Sequence, residues 1–413
     1  MGSTLKLCQL LCLSLGPVLS ANLDPDITTS RPAANDAMVT METALPLGDF
    51  HVDEDIISAR ERQIYEVVNY VILGTVIGLF GIVANIINII IFYRQGLKTT
   101  VNVSLFALAI SDLCSLLTLQ WFNICVNPLF ENADDLFPMM ASEVIYLTAG
   151  IPHDCFARIT CWITVYITAE RCLCITFPLK IKQLITPTRT TVIISLIYIL
   201  MMASFTPEYA TAYIGWKYYA SKNRTLLGLK FTSHRKQVEG LTFLLYGILG
   251  KLSFVAVVFF TVILVVVLRK KTIWRRKSIY GHQNSESISN RDKKTINMII
   301  IIAIILIVCY TPGTILSLVT FFVPDFSIVG NYVNLFFAVW SFGFLFETIN
   351  SSVNIFLYYK MSSKYRRSFC GMFSRCVKPD LTWKDTSSNN NASMRVMNES
   401  NSYSGLRQHE SSY

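Results

Sequence analysis

Charge is scarce in this 413-residue chain: Asp, Glu, Lys and Arg together make up 15% of it, well below the roughly one quarter of an ordinary soluble protein. Histidine is scarcer still. The five His residues never fall three or four apart, so no helical zinc constellation is available, and no nucleophile motif occurs. An enzyme is not expected on these grounds. Internal repeats and mid-span helix breaks, the marks of a transporter or channel, are also missing, which leaves that class a distant alternative.

Apolar residues are what the chain has in excess, 52% of the total, with a mean hydropathy of +0.45. They fall in blocks, and seven blocks reach the roughly 20 residues that a bilayer crossing needs. These cover about 65–92, 101–125, 143–175, 190–206, 241–268, 296–323 and 331–359. The expected fold class is therefore an all-α membrane protein, a seven-transmembrane helix bundle over 65–376. The third block is the weakest, because Pro152, His153, Asp154 and Arg158 interrupt it; packing inside a bundle tolerates such a span where bare lipid does not. The net charge of +9 would suit nucleic acid, but the basic residues cluster beside the apolar blocks, as lipid-flanking charges do. No nucleic-acid partner is expected.

The ends differ from the middle. Lys6 followed by an apolar run and the small residues Val18 and Ser20 reads as a signal peptide over 1–20. Residues 21–64 read as a disordered extracellular arm and 377–413, rich in Ser and Asn, as a disordered cytoplasmic tail. Loop charges set the orientation. Arg94, Lys98, Lys180, Lys182, Arg189, the run Arg269 to Lys277, Lys293, Lys294, Lys360, Lys364, Arg366 and Arg367 share one side; Glu131, Asp134, Asp135 and Asp325 share the other. The rule that positive loops stay inside places the N-terminus outside the plasma membrane and the C-terminus within. Residues 208–240 break the rule with seven basic or His residues, and read as a solvated external loop or one that meets an anionic ligand. Asn223-Arg224-Thr225 in that loop is a glycosylation acceptor pattern.

Five motifs, in order, resemble those of the rhodopsin-like G-protein-coupled receptors: "GIVAN" with Asn85, "NVSLFALAISD" with Asp112, "ERC" with Glu170 and Arg171, "CYTP" with Tyr310 and Pro312, and "NSSVNIFLYY" with Asn350, Asn354 and Tyr358. "KYRRSF" then resembles a short amphipathic eighth helix, beside which Cys370 or Cys376 would be palmitoylated. The stretch "GIPHDCFARITCWITVYITAERCLCITFPLKIK" resembles divergent invertebrate receptors, both chemosensory and RFamide-peptide in type. The resemblance implies a receptor for an extracellular peptide or small molecule, coupled to a heterotrimeric G protein and, through the tail, to arrestin.

It also implies roles for residues. Arg171 would pair with Asp292, which lies twenty residues before Pro312, roughly 30 Å along a helix, and so near the inner foot of the sixth span; Glu170 and Tyr358 belong to the same inner region. Asp112, Thr160, Asn85, Asn350 and Asn354 would form an oxygen-rich pocket for a sodium ion, or else a hydrated polar network. Pro312 would kink the sixth helix, with Tyr310 where the family has Trp. His153, Asp154 and Arg158 would face the ligand. Two departures stand out. Tyr146 occupies the place of the cysteine that ties the third helix to the external loop, and 208–240 hold no Cys; Cys125 and Cys155 remain near the outer face. Ile355 replaces the proline of the seventh-helix motif.

Overall fold

The computed structural model describes residues 56–131, 137–177, 181, 185–220, 222–278, 290–323, 325–327 and 330–372. Within them seven helices are long and apolar enough to cross a membrane. In chain order these are α1 Ala59–Gln95, α2 Thr100–Val126, α3 Ala141–Thr176, α4 Pro187–Thr211, α5 Arg235–Ser278, α6 Asn290–Phe322 and α7 Val333–Met361. A ten-residue helix, α8 Ser363–Met372, follows. The seven-helix bundle belongs to a compact unit that ends at Arg366, and a second unit begins at Arg367.

Helix ends are set by local chemistry. Ser58 and Glu61 form a reciprocal capping box that starts α1, ahead of the expected Tyr65. Gly96, at φ 81°, ends it, a left-handed position where glycine avoids a Cβ clash. Thr99 caps α2 and Thr186 caps α4, with Pro187 just inside the latter. Phe205 interrupts α4, whose last turns are Thr206–Thr211.

Burial ranks the helices. Of the membrane stretch of α3, 61% is buried inside the protein, against 22% for α4 and for α5. The span weakest by hydropathy is therefore the central one, because other helices rather than lipid surround its polar groups. Val76, Val83, Ile199, Leu200, Val255, Val262 and Val308 point outward, a face that suits lipid.

Residues 208–240 are not the solvated loop that their charge suggested. Strand β1, Ala212–Tyr219, pairs antiparallel with β2, Arg224–Phe231. Period-two alternation explains the pairing: Tyr219 and Leu226 pack with Met140 on one face, while Ile214, Trp216 and Tyr218 are exposed on the other. Asn223, exposed at the turn with φ 49°, takes a left-handed conformation that Asn tolerates, and Tyr218 donates to its Oδ1 at 2.5 Å. The segment before α3 joins the same ladder: Met140 N–H donates to Leu227 O and Leu227 N–H to Pro138 O.

In α8, the Tyr365 hydroxyl donates to Asn88 Oδ1 at 2.5 Å. Burial pushes that phenol's pKa above the usual tyrosine range, which keeps it a donor. Cys370 is a half-buried free thiol; Cys376 lies outside the described residues.

Close approach of α1 to α2 and α7 rests on Gly81. A Cβ there would sit 2.1 Å from Ser352 Oγ and 2.7 Å from Leu116 Cδ1, whereas one at Gly313 would meet nothing within 4 Å. Gly81→Ala should cost about 1–3 kcal/mol by overpacking. Gly313→Ala should be neutral or stabilising by up to about 1 kcal/mol through helix propensity. Thermal midpoints of the two purified variants in detergent would check the contrast; equal midpoints would refute it.

Candidate functional site

Three polar clusters run through the bundle, from the end rich in basic residues to the end that carries the hairpin. At the basic end, Arg171 Nη2 donates to Glu170 Oε1 at 2.6 Å and to Thr100 Oγ1, in the first turn of α2, at 2.9 Å. Glu170 is buried, and its second oxygen has no hydrogen-bond partner among the described residues. The expected partner Asp292 lies in α6, but its side chain falls outside the described residues. Tyr358 is buried, edge-on to Phe92 and against Tyr365.

The middle cluster centres on Asp112, fully buried in α2. Thr160 from α3 donates to its Oδ1 at 3.0 Å and Ser351 from α7 to the same oxygen at 3.3 Å. Asn354 Nδ2 reaches Oδ2 at 2.9 Å. Thr160 also bonds Ser111 Oγ at 2.9 Å. Asn85 acts one step away, donating to Ser351 O at 2.8 Å and so fixing the α7 backbone beside Asp112. Asn350 is buried in the same turn, yet it is its neighbour Ser351 that touches the carboxylate. Ser351 and Ser111 were not anticipated, because serine so often bonds its own helix.

The third cluster lies toward the hairpin end. His153 Nε2 is 2.7 Å from Glu347 Oε2 on α7, and Nδ1 is 3.0 Å from Ser115 Oγ on α2. Asp154 and Arg158, one turn apart on α3, are ion-paired, and the Arg158 guanidinium lies over Phe205 at 5.2 Å. A Cβ on Gly250 of α5 would lie 3.8 Å from Arg158 Nε, which brings α5 and the adjacent Lys251 to this cluster. Glu347 and Lys251 carry no sequence motif, and the 194 residues between His153 and Glu347 hide the pairing from local pattern. Glu347 is the more accessible partner, its side chain 24% exposed against 4% for His153.

The chain was then compared with known proteins. Residues 72–376 match the family model described as serpentine type 7TM GPCR chemoreceptor Srw. The chain belongs to the Srw family. It is 24% identical to human neuromedin-U receptor 2 (Homo sapiens) over 304 residues, 71% of this chain and 69% of that relative. The mouse (Mus musculus) protein of the same name is 24% identical over 322 residues, 76% of each. Rabbit (Oryctolagus cuniculus) growth hormone secretagogue receptor type 1 is 24% identical over 303 residues, 71% of this chain and 78% of the relative.

In this Srw receptor α6 runs unbroken through Pro312, which removes one backbone hydrogen bond. The hydroxyl of Thr311, just before it, donates to Ile307 O at 2.6 Å, a different carbonyl from the one that Pro312 leaves unmet. Tyr310 packs against the apolar group of Cys161, Val165, Val257, Ala303 and Leu306. Cys125 and Cys155 are both free and buried, so no disulfide joins them.

Arg158→Ala would leave the Asp154 carboxylate buried without its ion partner, a loss of roughly 3–5 kcal/mol. Asp154→Asn together with Arg158→Gln should recover most of it. Surface expression and thermal midpoint of the single and double variants would decide; a double variant as unstable as the single would show that the pair is not the cause.

Proposed function

We propose that this receptor is opened by an extracellular peptide and that the opened state activates a heterotrimeric G protein. The observation that carries the reading is the polar cluster of His153, Asp154, Arg158 and Glu347, with Lys251 on the neighbouring stretch of α5, on the hairpin side of the bundle. An accessible carboxylate there, Glu347, suits a cationic group of a basic peptide. Glu131 ends the short turn after α2, and Asp134 and Asp135, which lie outside the described residues, follow it in sequence and add negative charge to that segment. The relatives named as neuromedin-U and growth hormone secretagogue receptors support a peptide. The family description as a chemoreceptor favours a second reading, a small waterborne molecule in the same place.

In this reading the hairpin end faces outward and Asn223 carries a glycan. Ligand affinity for one of two states shifts their populations. Arg171, freed from Glu170, Thr100 and a contact with Asp292, opens the inner end, with α6 pivoting at Pro312 beside Tyr310. Palmitate on Cys370 or Cys376 would hold α8 to the lipid, and phosphorylated serines of the tail would recruit arrestin. The hydroxyls of Thr160, Ser111 and Ser351 and the Asp112 carboxylate make an oxygen donor set that fits a hard cation such as sodium. The ion would add positive charge beside Asp112, while the residues themselves hold α2, α3 and α7 in register. If so, replacing sodium with choline should change basal signalling in wild type and leave it unchanged in Asp112→Asn; an equal response in both would remove sodium from the account.

Calcium and cyclic AMP output would test the function itself, in cells that express wild type or Arg171→Ala at matched surface level. Fractionated peptide extracts should raise one messenger in wild type, and the variant should lose at least about nine-tenths of it, the effect of some 1.4 kcal/mol on a two-state equilibrium. A response confined to small odorants would move the assignment to the second reading. Silence toward both would overturn coupling.

A further inference from the structure

Where β1, β2, α4 and α5 meet the head of α3, three polar side chains are buried together. Tyr146, at the first turns of α3, donates its hydroxyl to Glu208 Oε2 at 2.7 Å. Glu208 sits in the last turns of α4 and is fully buried. Arg235, the first residue of α5, is buried too and donates from Nη1 to the same Glu208 oxygen at 2.5 Å. Its Nη2 donates to the Tyr146 hydroxyl at 3.2 Å, and Nη1 also reaches Thr211 Oγ1 at 3.3 Å.

These three residues bracket the hairpin in sequence. Glu208 and Thr211 immediately precede β1, and Arg235 follows β2. Thr232 N–H donates to Thr211 O at 2.9 Å and closes the base, while the Arg235 guanidinium lies 5.0 Å over the Phe231 ring at the end of β2. Both legs of the hairpin are thus tied to one phenol on α3. Further along, Glu143 of α3 accepts from Leu229 N–H at 2.8 Å and pairs with Lys217. The 208–240 segment contains no cysteine, and Cys125 and Cys155 are free, so no covalent link is available to do this work. A two-stranded hairpin standing alone is at best marginal in water; something must hold it.

We propose that Tyr146, Glu208 and Arg235 form a buried ionic clamp that positions the hairpin on α3 and acts as a non-covalent staple. A charge pair of this burial is unforgiving of the loss of one member. Tyr146, Glu208 and Arg235 are positioning residues, and none of them need touch the ligand.

Hydrogen exchange of amides 212–231 in the full-length receptor, purified in lipid nanodiscs, would test this, with the thermal midpoint recorded in parallel. Wild-type hairpin exchange should be the same with and without excess dithiothreitol. Tyr146→Phe, which removes one hydroxyl and keeps the ring, should speed it several-fold, and Glu208→Gln by about tenfold or more, with the amides of α2 and α7 unchanged. Exchanging the charges, Glu208→Arg with Arg235→Glu, should restore part of the protection. Faster wild-type exchange under reductant would overturn the proposal. So would unchanged hairpin exchange in the single variants, or acceleration spread evenly over the bundle. If Glu208→Gln does not fold, Tyr146→Phe decides alone. The readout involves neither ligand nor G protein, so it stands or falls separately from the signalling assay.

Discussion

A carboxylate in the middle of a membrane must be met by donors from its own protein, and Asp112 is met from two other helices. Leaving it unpaired would cost several kcal/mol even on lenient insertion scales. Thr160 and Ser351 on one oxygen and Asn354 on the other remove that penalty only while α2, α3 and α7 hold one register. A shift of one residue along any of them would rotate a donor away by about 100°. The apolar surfaces of these helices impose no such condition, since lipid chains are as apolar as Leu. This acid therefore constrains the register of the central bundle, as do the bonds of His153 to Ser115 and Glu347 nearer the hairpin, and Asn85, bonded to Ser351 O, extends the constraint to α1.

The same logic repeats toward each end. Asp154 with Arg158, Glu170 with Arg171 and Glu208 with Arg235 pair charges that would be prohibitive singly, and His153 meets the Glu347 carboxyl group. Small residues let the helices come near enough for this. Gly78 faces the flexible end of Gln120, whereas Gly81 faces Ser352 and Leu116 at distances where a Cβ would require a neighbour to shift.

Much of this was legible in the chain. Seven blocks of about 20 apolar residues mark the spans because lipid demands that length, and α2, α3 and α7 lie within a few residues of their expected bounds. The family resemblance grouped Asp112 with Thr160, Asn85, Asn350 and Asn354, and the structure puts Thr160 and Asn354 on the carboxylate. What escaped has physical reasons. The hairpin was read as a charged loop, because Lys217, Lys222, Arg224 and Lys230 masked the alternation beneath them. Glu347 looked like one more residue of an aromatic span, since nothing near it in sequence announces a partner 194 residues away. Glu208 and Arg235 flanked that loop and read as solvated charges, yet they are among the buried ones. Hydropathy counts charges and does not see how they pair.

The contrast between α6 and its neighbours follows from where the polar groups lie. In the middle of α6, Thr311, Thr314, Ser317 and Thr320 all donate to carbonyls of their own helix. Earlier in α6, Ala303 and Leu306 pack with Cys161, Val165 and Val257 of α3 and α5 in an apolar group. Directional bonds hold α2, α3 and α7 in one register; dispersion contacts are individually small and non-directional, so a helix held by them rotates or tilts at lower cost. Pro312 has already given up one backbone bond, and Gly313 beside it has open space. Among the described residues, no hydrogen bond to Asp112 comes from α6, so α6 is not tied to the acid that holds α2, α3 and α7 together.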